Sequence, residues 1–286
     1  MSERLQPIVV VAGPTATGKT GAAIEIAQHL NAELVGADSV QVYRGFDIGS
    51  AKPTQKQLGR VTHHLLDVFD PNEDVDAVAY AKLADAAIAD IVNRSKLPVV
   101  VGGTGLWIRA LLRGLVDLPP VDPEIRARLE AAAEDRGAPA LHARLAEVDP
   151  VSATAVHPND ALRIVRALEV YEQTGTALGT LRKAHALGRP RYRAVFLVLD
   201  MDRDRHGATI EARAKQMLES GWVDEVRALR ARWGDDIRPF GSVGYREVLE
   251  HLRDGVPLDE TRRRIVTVSY THLRAHETGS GISYAV

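Results

Sequence analysis

The first part of the chain alternates short apolar runs with longer amphipathic stretches. Runs typical of buried β-strands lie at residues 8–11, 33–37, 65–68 and 98–102, and apolar residues have helical spacing at residues 19–30 and 76–93. Alternation of this kind is typical of a parallel sheet with helices on both faces. Continuous apolar runs such as Val99-Val100-Val101 indicate strands that are buried on both sides. The pattern therefore predicts an α/β fold.

The pattern changes at the proline-rich segment 118–123. Only helical periodicity follows, at residues 124–134, 139–147, 159–172 and 178–187, with glycine and proline between the segments. A strand is expected again at residues 194–199, with helices after it. The simplest interpretation is a core formed by residues 1–118 and 191–266, interrupted by a helical insertion at residues 119–190.

The segment directly after the first strand contains a complete phosphate-binding motif. Residues 13–20 match G-x-x-x-x-G-K-[ST] between a strand and a helix, the context that this motif requires. Backbone N–H groups and the helix N-terminus would hold phosphate, Lys19 would add a cation, and the Thr20 hydroxyl suits Mg²⁺. A glycine-rich turn without a ligand is the alternative. The predicted diphosphate-binding residues of this loop are Gly13, Pro14, Thr15, Ala16, Thr17, Gly18, Lys19 and Thr20, with Thr20 also the predicted metal ligand.

Two further strand ends place polar groups where open parallel sheets bind their ligands. Asp38 follows the second strand, and its carboxylate could act as a base, hold the metal through water, or cap the next turn. Thr104 follows Gly102-Gly103 and could offer its hydroxyl to a ligand or cap the helix at 106–112. These features also fit a small-molecule P-loop kinase.

The adjacent pair His63-His64 is a weak indication of a metal site. No carboxylate partner is evident from the spacing, and the chain contains no cysteine. We interpret the two histidines as structural.

Composition narrows the class of protein but not its partner. With 45% hydrophobic and 26% charged residues, no signal peptide before the first strand and no apolar run of membrane-spanning length, a cytoplasmic soluble protein is expected. The net charge of −2 neither favours nor excludes nucleic acid. Residues 173–199 contain no acidic residue, and either form a solvated surface or contact a phosphate backbone. The basic residues of that stretch are Arg182, Lys183, Arg189, Arg191 and Arg193.

A longer series of motifs resembles one enzyme family. Residues 38–54 read Asp-Ser-Val-Gln-Val-Tyr-Arg-Gly-Phe-Asp-Ile-Gly-Ser-Ala-Lys-Pro-Thr, and further motifs follow at residues 63–67, 101–106, 157–170 and 243–247. In this order they resemble the tRNA dimethylallyltransferase (tRNA isopentenyltransferase) family from the phosphate loop to about residue 265. The resemblance implies a P-loop NTPase-like fold and transfer of a dimethylallyl group from its diphosphate to N6 of the adenosine 3′-adjacent to the anticodon. The loop would hold the leaving diphosphate, and no ATP would be hydrolysed.

The resemblance also implies roles for individual residues. Asp38 is the candidate general base, Thr104 would donate to the oxygen that bridges carbon and phosphorus, and Arg213 would contact the diphosphate. By itself Arg213 would be taken for a solvated helix charge. By spacing alone, Arg163 and Arg166 could pair with acidic residues of their own helix. The implied tRNA-binding positions are Asp38, Ser39, Val40, Gln41, Thr104, Arg126, Leu162, Arg163, Ile164, Val165, Arg166, Gly241, Ser242, Val243, Gly244, Tyr245 and Arg246.

The acceptor base must leave the stacked anticodon loop to reach a buried site. This requirement gives the helical insertion a function, which is to hold the anticodon stem-loop by its backbone. The predicted partners are therefore the tRNA anticodon stem-loop and dimethylallyl diphosphate, with Mg²⁺ as cofactor. A monomer is expected.

The chain departs from the family pattern at two places. Thr209 stands where an arginine is common, so one basic contact is missing. The segment from about residue 267 resembles the translation of a sequencing-library adapter, and we hypothesise that residues 267–286 are a non-native tail that packs poorly.

Three alternatives remain beside the tRNA-modifying enzyme. They are an adenylate (cytokinin-type) isopentenyltransferase, a small-molecule P-loop kinase and a non-catalytic RNA-binding relative. The complete loop together with Asp38 and Thr104 speaks against loss of catalysis.

Overall fold

The computed structural model describes residues 5–116, 118–186 and 190–278, with the side chains of residue 186 and of residues 272–278 left out. Arg189 of the basic stretch and residues 279–286 of the suspected tail lie outside these ranges. Two compact units are formed. The sheet unit consists of the chain up to Leu112 and from Arg191 onward, and the helical unit is Arg113–Pro190.

The sheet unit is built on five parallel strands, in the spatial order β3-β2-β4-β1-β5. The register aligns Val10 with Val100 and Val35 with Val100, so the middle of the sheet is a continuous layer of valines. The parallel α/β fold predicted from the sequence is confirmed. The strands are β1 (Pro7–Ala12), β2 (Ala32–Ala37), β3 (His63–His64), β4 (Leu97–Gly102) and β5 (Arg193–Val198).

Both faces of the central strands are buried. Val11, Leu34 and Val99 belong to one apolar cluster with the first helix, α1 (Lys19–His29). Neighbouring side chains such as Val10 and Val100 point to the opposite face and are equally inaccessible to water. This explains the continuous apolar runs, because a strand covered on both sides has no solvent-facing position.

The third strand lies earlier in the chain than predicted. The expected strand at residues 65–68 is wrong, and the strand that pairs with β2 is the two-residue His63–His64. Leu65 has φ +62° and Asp67 has φ +54°. A backbone in this left-handed region cannot continue an extended strand, so the apolar residues at 65–68 form a turn instead.

The remaining helices of the sheet unit either connect its strands or follow the last strand, and α4 extends by one residue into the helical unit. The Asp76 side chain caps the third helix by accepting from the N–H groups of Val78 and Ala79. The helices are α2 (Gln55–Leu58), α3 (Ala77–Asn93), α4 (Gly105–Arg113), α10 (Arg203–Glu219), α11 (Trp222–Trp233), α12 (Tyr245–Asp254) and α13 (Leu258–Thr278), with a 3₁₀ turn at Arg238–Gly241.

The helical unit packs around a core of leucine, isoleucine and valine side chains. Its centre includes Leu129, Leu145 and Leu168, all at most 1% exposed. One helix, α7, was not predicted from the sequence; it begins after Asp149, whose carboxylate accepts from the Ser152 N–H. The helices are α5 (Pro123–Arg136), α6 (Ala138–Val148), α7 (Pro150–Ala155), α8 (Ala161–Thr174) and α9 (Leu178–Ala186).

The suspected tail continues the last helix, α13. Ile265 is the last side chain of α13 that is buried within the described part, and the side chains from Val266 to Thr271 are half-buried or exposed. Tyr270 approaches Gly207 of α10. Whether residues from about 267 are native stays a prediction.

In the part of the chain that the structure describes, no helix combines the length and the apolar character that crossing a bilayer requires.

Candidate active site

The phosphate loop connects β1 to α1 and has the conformation that its glycines permit. Gly13 has φ +145°, and a Cβ atom there would lie 2.3 Å from the Leu199 carbonyl oxygen. Gly18 has φ +84° where α1 begins. Ala16 also lies in the left-handed region, at φ +65°, a conformation that a residue with a Cβ atom rarely adopts. The loop is therefore a strained turn that the surrounding structure must hold.

Lys19 places its ammonium group inside this loop. Its Nζ donates to the Pro14 carbonyl at 2.5 Å, and the Thr17 hydroxyl donates to the same oxygen at 2.9 Å. Burial lowers the pKa of Lys19 to about 8; nearby Asp38 raises it and nearby Arg213 lowers it further. Asp38 and Arg213 are therefore both near enough to Lys19 to influence its charge.

Arg213 is directed to the same place from α10. Its side chain is half-buried and has no hydrogen bond or ion pair with any residue that the structure describes. Burial lowers the pKa of Arg213, and the Asp38 carboxylate opposes this effect. A desolvated guanidinium without a partner is costly unless an anion binds there. A half-buried Arg213 does not fit a fully solvated helix charge, and its contact with diphosphate stays a prediction.

Asp38 follows β2 and uses one carboxylate oxygen to hold its own turn. Oδ1 accepts from the N–H groups of Val40 at 2.9 Å and Gln41 at 3.2 Å. The capping role considered from the sequence is thus present. The second oxygen, Oδ2, has no hydrogen bond with a described residue, so it is available to another group.

Thr104 follows β4 and faces the end of β2. Its Oγ1 accepts from the Ser39 N–H at 3.0 Å, and its backbone N–H donates to the Ala37 carbonyl at 3.1 Å. The hydroxyl donates to the Ser39 Oγ at 3.4 Å, and it does not cap α4, since no N–H group of that helix among the described residues donates to it. The ends of β2 and β4 are therefore joined beside the phosphate loop.

The donor atoms at this site fit Mg²⁺ only when phosphate oxygens complete its coordination. No group of three or more His, Cys, Asp or Glu side chains that could hold a metal occurs in the described residues. The Thr20 hydroxyl makes no hydrogen bond there and remains able to bind a hard cation. His64 Nε2 lies 2.7 Å from the carboxylate of Glu33, a partner missed from the sequence. His63 Nδ1 lies 2.8 Å from the Val61 carbonyl oxygen. The structural role of the two histidines stays a prediction.

Sequence reasoning missed the acidic residue that organises the loop after Asp38. The Glu225 carboxylate on α11 accepts from the backbone N–H groups of Asp47, Ile48 and Gly49, at 3.0, 2.6 and 3.3 Å. It also accepts from the Tyr245 hydroxyl at 2.7 Å. In the sequence, Glu225 resembles any surface acid in a first helical turn, so no local signal reveals this role.

Gln41 connects the same loop to the Asp38 turn. Its Nε2 donates to the Ser50 carbonyl at 2.9 Å and to the Ala51 carbonyl at 3.3 Å. Both amide hydrogens are thereby used, which leaves Oε1 as the free acceptor of this side chain.

Replacing Glu225 tests how far this loop depends on a single carboxylate. Glu225→Ala leaves three backbone N–H groups and one phenol without their acceptor, and we expect the free energy of unfolding to fall by about 2 kcal/mol. Urea unfolding measures this change. Asp224→Ala is the matched control, because Asp224 is an exposed acid paired with Arg227 and should change stability by less than about 0.5 kcal/mol. Equal stability of the two variants would contradict the role given to Glu225.

The predicted tRNA-binding residues of the sheet unit fall into two groups. Ser39, Val40 and Ser242 line one cavity of about 150 Å³, together with Tyr43, Val75, Trp107, Arg238 and Pro239. Gly241 and Arg246 are exposed and Val243 is half-buried. Gly244 and Tyr245 are buried, and the Tyr245 hydroxyl donates to Glu225, so the tRNA contact expected at these two positions stays a prediction that the side chain of Tyr245 does not support.

The predicted tRNA-binding positions in the helical unit include both buried and exposed side chains. Ile164 and Val165 are at most 2% exposed in the core of that unit, so their side chains stabilise the unit, and tRNA contact at these positions stays a prediction. Leu162 and the Arg163 side chain are 71% and 72% exposed.

The three arginines of the helical unit that are predicted to contact tRNA have acidic partners. Arg163 pairs with Asp160, as the intrahelical alternative predicted. Arg126 and Arg166 both bind the buried Glu169, at 2.6 and 3.1 Å. Any contact of these two arginines with RNA must therefore use N–H groups that Glu169 does not occupy.

Comparison with known proteins shows the family to which this chain belongs. The model of the IPP transferase family matches residues 41–274. The chain belongs to the IPP transferase family. The match extends past residue 267, so the start of any foreign sequence stays a prediction.

Individual relatives of this IPP transferase cover nearly all of the chain. It is 49% identical over 271 residues to a tRNA dimethylallyltransferase of Sorangium cellulosum, covering 95% of this chain and 86% of the relative. A solved full-length tRNA isopentenylpyrophosphate transferase of Bacillus halodurans is 36% identical with a TM-score of 0.66, covering 95% of this chain and 85% of that one. A eukaryotic dimethylallyltransferase, solved in structures described as acting on tRNA, is 26% identical with a TM-score of 0.75, covering 95% and 69%.

Proposed function

We propose that this protein transfers the dimethylallyl group of dimethylallyl diphosphate to N6 of the adenosine 3′-adjacent to the anticodon in tRNA. The observation that supports this proposal best is the convergence of Lys19, Arg213 and Asp38 beside the phosphate loop. Two desolvated cations suit a diphosphate, and a carboxylate with one free oxygen suits a base. The names of the relatives support the same reaction.

The cations act on the leaving group. As the carbon–oxygen bond of the donor breaks, negative charge accumulates on the bridging oxygen of the diphosphate. Lys19 and Arg213 are already desolvated, so together with the N–H groups of the loop they can stabilise this charge at little cost in reorganisation. The Thr104 hydroxyl donates to the Ser39 Oγ over a long 3.4 Å contact, and in our proposal it turns this hydrogen to the bridging oxygen while its own oxygen still accepts from the Ser39 N–H.

Asp38 acts on the nucleophile. The adenine amino nitrogen is a weak nucleophile because its lone pair is delocalised into the ring. In our proposal, Oδ2 of Asp38 takes a proton from N6 as the new carbon–nitrogen bond forms, and Oδ1 stays bonded to the turn. Water must be excluded at this stage, because the allyl carbon gains cation character and would react with it.

The proposed cofactor is Mg²⁺, with Thr20 as its protein ligand. When bound, it neutralises charge on the diphosphate oxygens. The binding residues proposed for the donor are the complete loop at residues 13–20 and Arg213.

For the acceptor, we propose contacts by Ser39, Val40, Gln41, Ser242 and Arg246 in the sheet unit, and by exposed residues of α8 in the helical unit. Exposed arginines such as Arg163 suit the phosphate backbone, which fixes position and does not specify sequence. Because the proposed acceptor is tRNA, we place the protein in the cytoplasm.

The test is a transfer assay with Mg²⁺, labelled dimethylallyl diphosphate and an anticodon stem-loop with adenosine 3′-adjacent to the anticodon. Label is expected on this RNA and not on a matched stem-loop with guanosine at that position. Label on free adenylate instead would indicate the cytokinin-type reaction, and ATP turnover without labelled RNA would indicate a kinase. Either result would overturn the proposal.

A further inference from the structure

The phosphate loop has one contact from α10 to which no role has been given. The His206 ring lies with Nε2 2.7 Å from the Thr15 carbonyl oxygen, and the residue is only 5% exposed. A carbonyl oxygen can only accept, so Nε2 is the ring nitrogen that bears the proton. His206 on α10 therefore donates a hydrogen bond to the Thr15 carbonyl of the loop.

His206 lies on the same face of α10 as Arg213. The spacing from His206 to Ile210 and to Arg213 is one and two helical turns, and Ile210 is 4% exposed. The buried face of α10 thus begins with a residue fixed to the loop and ends with a guanidinium directed toward Asp38 and Lys19. If the His206 contact were lost, α10 could shift along the loop and carry the Arg213 guanidinium out of position.

Two successive carbonyl groups of the loop are fixed in this way. The Pro14 carbonyl accepts from Lys19 and Thr17, and the Thr15 carbonyl accepts from His206. Because a trans peptide is planar, fixing the Thr15 carbonyl also fixes the Ala16 N–H in the opposite direction. Ala16 itself has φ +65°, a strained conformation that persists only where neighbouring contacts enforce it.

We infer that His206 is a positioning residue of the diphosphate site: its Nε2–H holds the Thr15–Ala16 peptide of the loop and, through α10, keeps Arg213 in place. The inference rests on the proposed function, because it assumes a diphosphate in the loop. Because His206 is buried and contacts the backbone of the loop, we expect its replacement to change donor binding and to leave RNA binding unchanged.

The experiment compares two substitutions of His206. His206→Leu fills the same space without a donor, whereas His206→Gln places an amide N–H near the position of Nε2. Calorimetry with inorganic diphosphate and Mg²⁺ should show affinity about tenfold weaker for the leucine variant and within about twofold of the unchanged protein for the glutamine variant. In the transfer assay, the KM for dimethylallyl diphosphate should rise by a similar factor, and the KM for the stem-loop should stay constant.

His251→Leu is the matched control for a loss of stability alone. His251 Nδ1 lies 2.5 Å from the Val256 carbonyl oxygen, in the sheet unit but away from the loop. This variant should unfold at lower urea concentration and bind diphosphate normally. The inference is overturned if folded His206→Leu binds diphosphate as tightly as the unchanged protein, or if His251→Leu weakens binding equally. If the unchanged protein does not bind diphosphate, the proposed function fails together with the inference.

Discussion

Asp38→Asn is expected to slow dimethylallyl transfer by about a hundredfold to ten-thousandfold, the usual contribution of a general base. The asparagine oxygen can still accept from the N–H groups of Val40 and Gln41, so the turn keeps its hydrogen bonds. What is lost is the basic oxygen, because an amide cannot take the proton from N6. The measurement is the single-turnover rate with saturating donor and stem-loop.

Two controls separate the loss of the base from other damage at Asp38. Diphosphate binding by Asp38→Asn should be retained or stronger, because a negative charge near Lys19 and Arg213 has been removed. Asp38→Ala removes the caps as well and should lower stability beyond the asparagine variant. A transfer rate of Asp38→Asn within about threefold of the unchanged protein would exclude Asp38 as the base.

Lys19→Ala is expected to reduce dimethylallyl transfer about as much as Asp38→Asn does. Unlike Asp38→Asn, it should weaken donor binding as well as slow the chemical step. Removing one cation directed at developing negative charge costs about a hundredfold to a thousandfold in rate in comparable sites. Because Asp38 and Arg213 remain, proton removal and part of the charge stabilisation survive. Transfer assays across a range of donor concentrations resolve the change in kcat from the change in KM.

The lowered pKa of Lys19 adds a dependence on pH. The ammonium group is charged below about pH 8 and loses its charge as the pH rises through that value in the free protein. Diphosphate affinity should therefore decrease between about pH 7 and pH 9, beyond any change caused by ionisation of the ligand. Lys19→Ala provides the reference, since its residual binding reflects only the ligand and the other groups. A constant ratio of the two affinities over this range would contradict the assignment.

Local sequence patterns predicted the parts of the site that depend on neighbouring residues. The loop at residues 13–20 is defined by where glycine must stand and where a strand precedes a helix. The positions of Asp38 and Thr104 after parallel strands placed both at one edge of the sheet, and the structure joins them through Ser39. The strand at 65–68 was wrong because backbone conformation at Leu65 and Asp67 is not visible in the apolar pattern.

The hydrogen bonds that hold the loops of the site, and that the sequence did not reveal, join residues far apart in the chain. Glu225 binds N–H groups almost two hundred positions earlier, and His206 binds the loop at a similar separation. Likewise Ile164, Val165 and Tyr245 belong to motifs that resemble a binding surface, yet their side chains are buried. A motif shows that a residue is characteristic of a family, but it does not distinguish a contact with a ligand from a contact within the core.

The sequence by itself determined the family, the phosphate loop and the alternation of strands and helices around the parallel sheet, because these depend on short-range spacing and on the pattern of apolar residues. Only the tertiary structure decided which charges lack a partner and which are neutralised. Arg213 is half-buried with no acceptor, whereas Arg126 and Arg166 are bound by the buried Glu169. The reason is physical: the cost of desolvating a charge and the energy of its ion pair depend on distances between elements that only folding brings together.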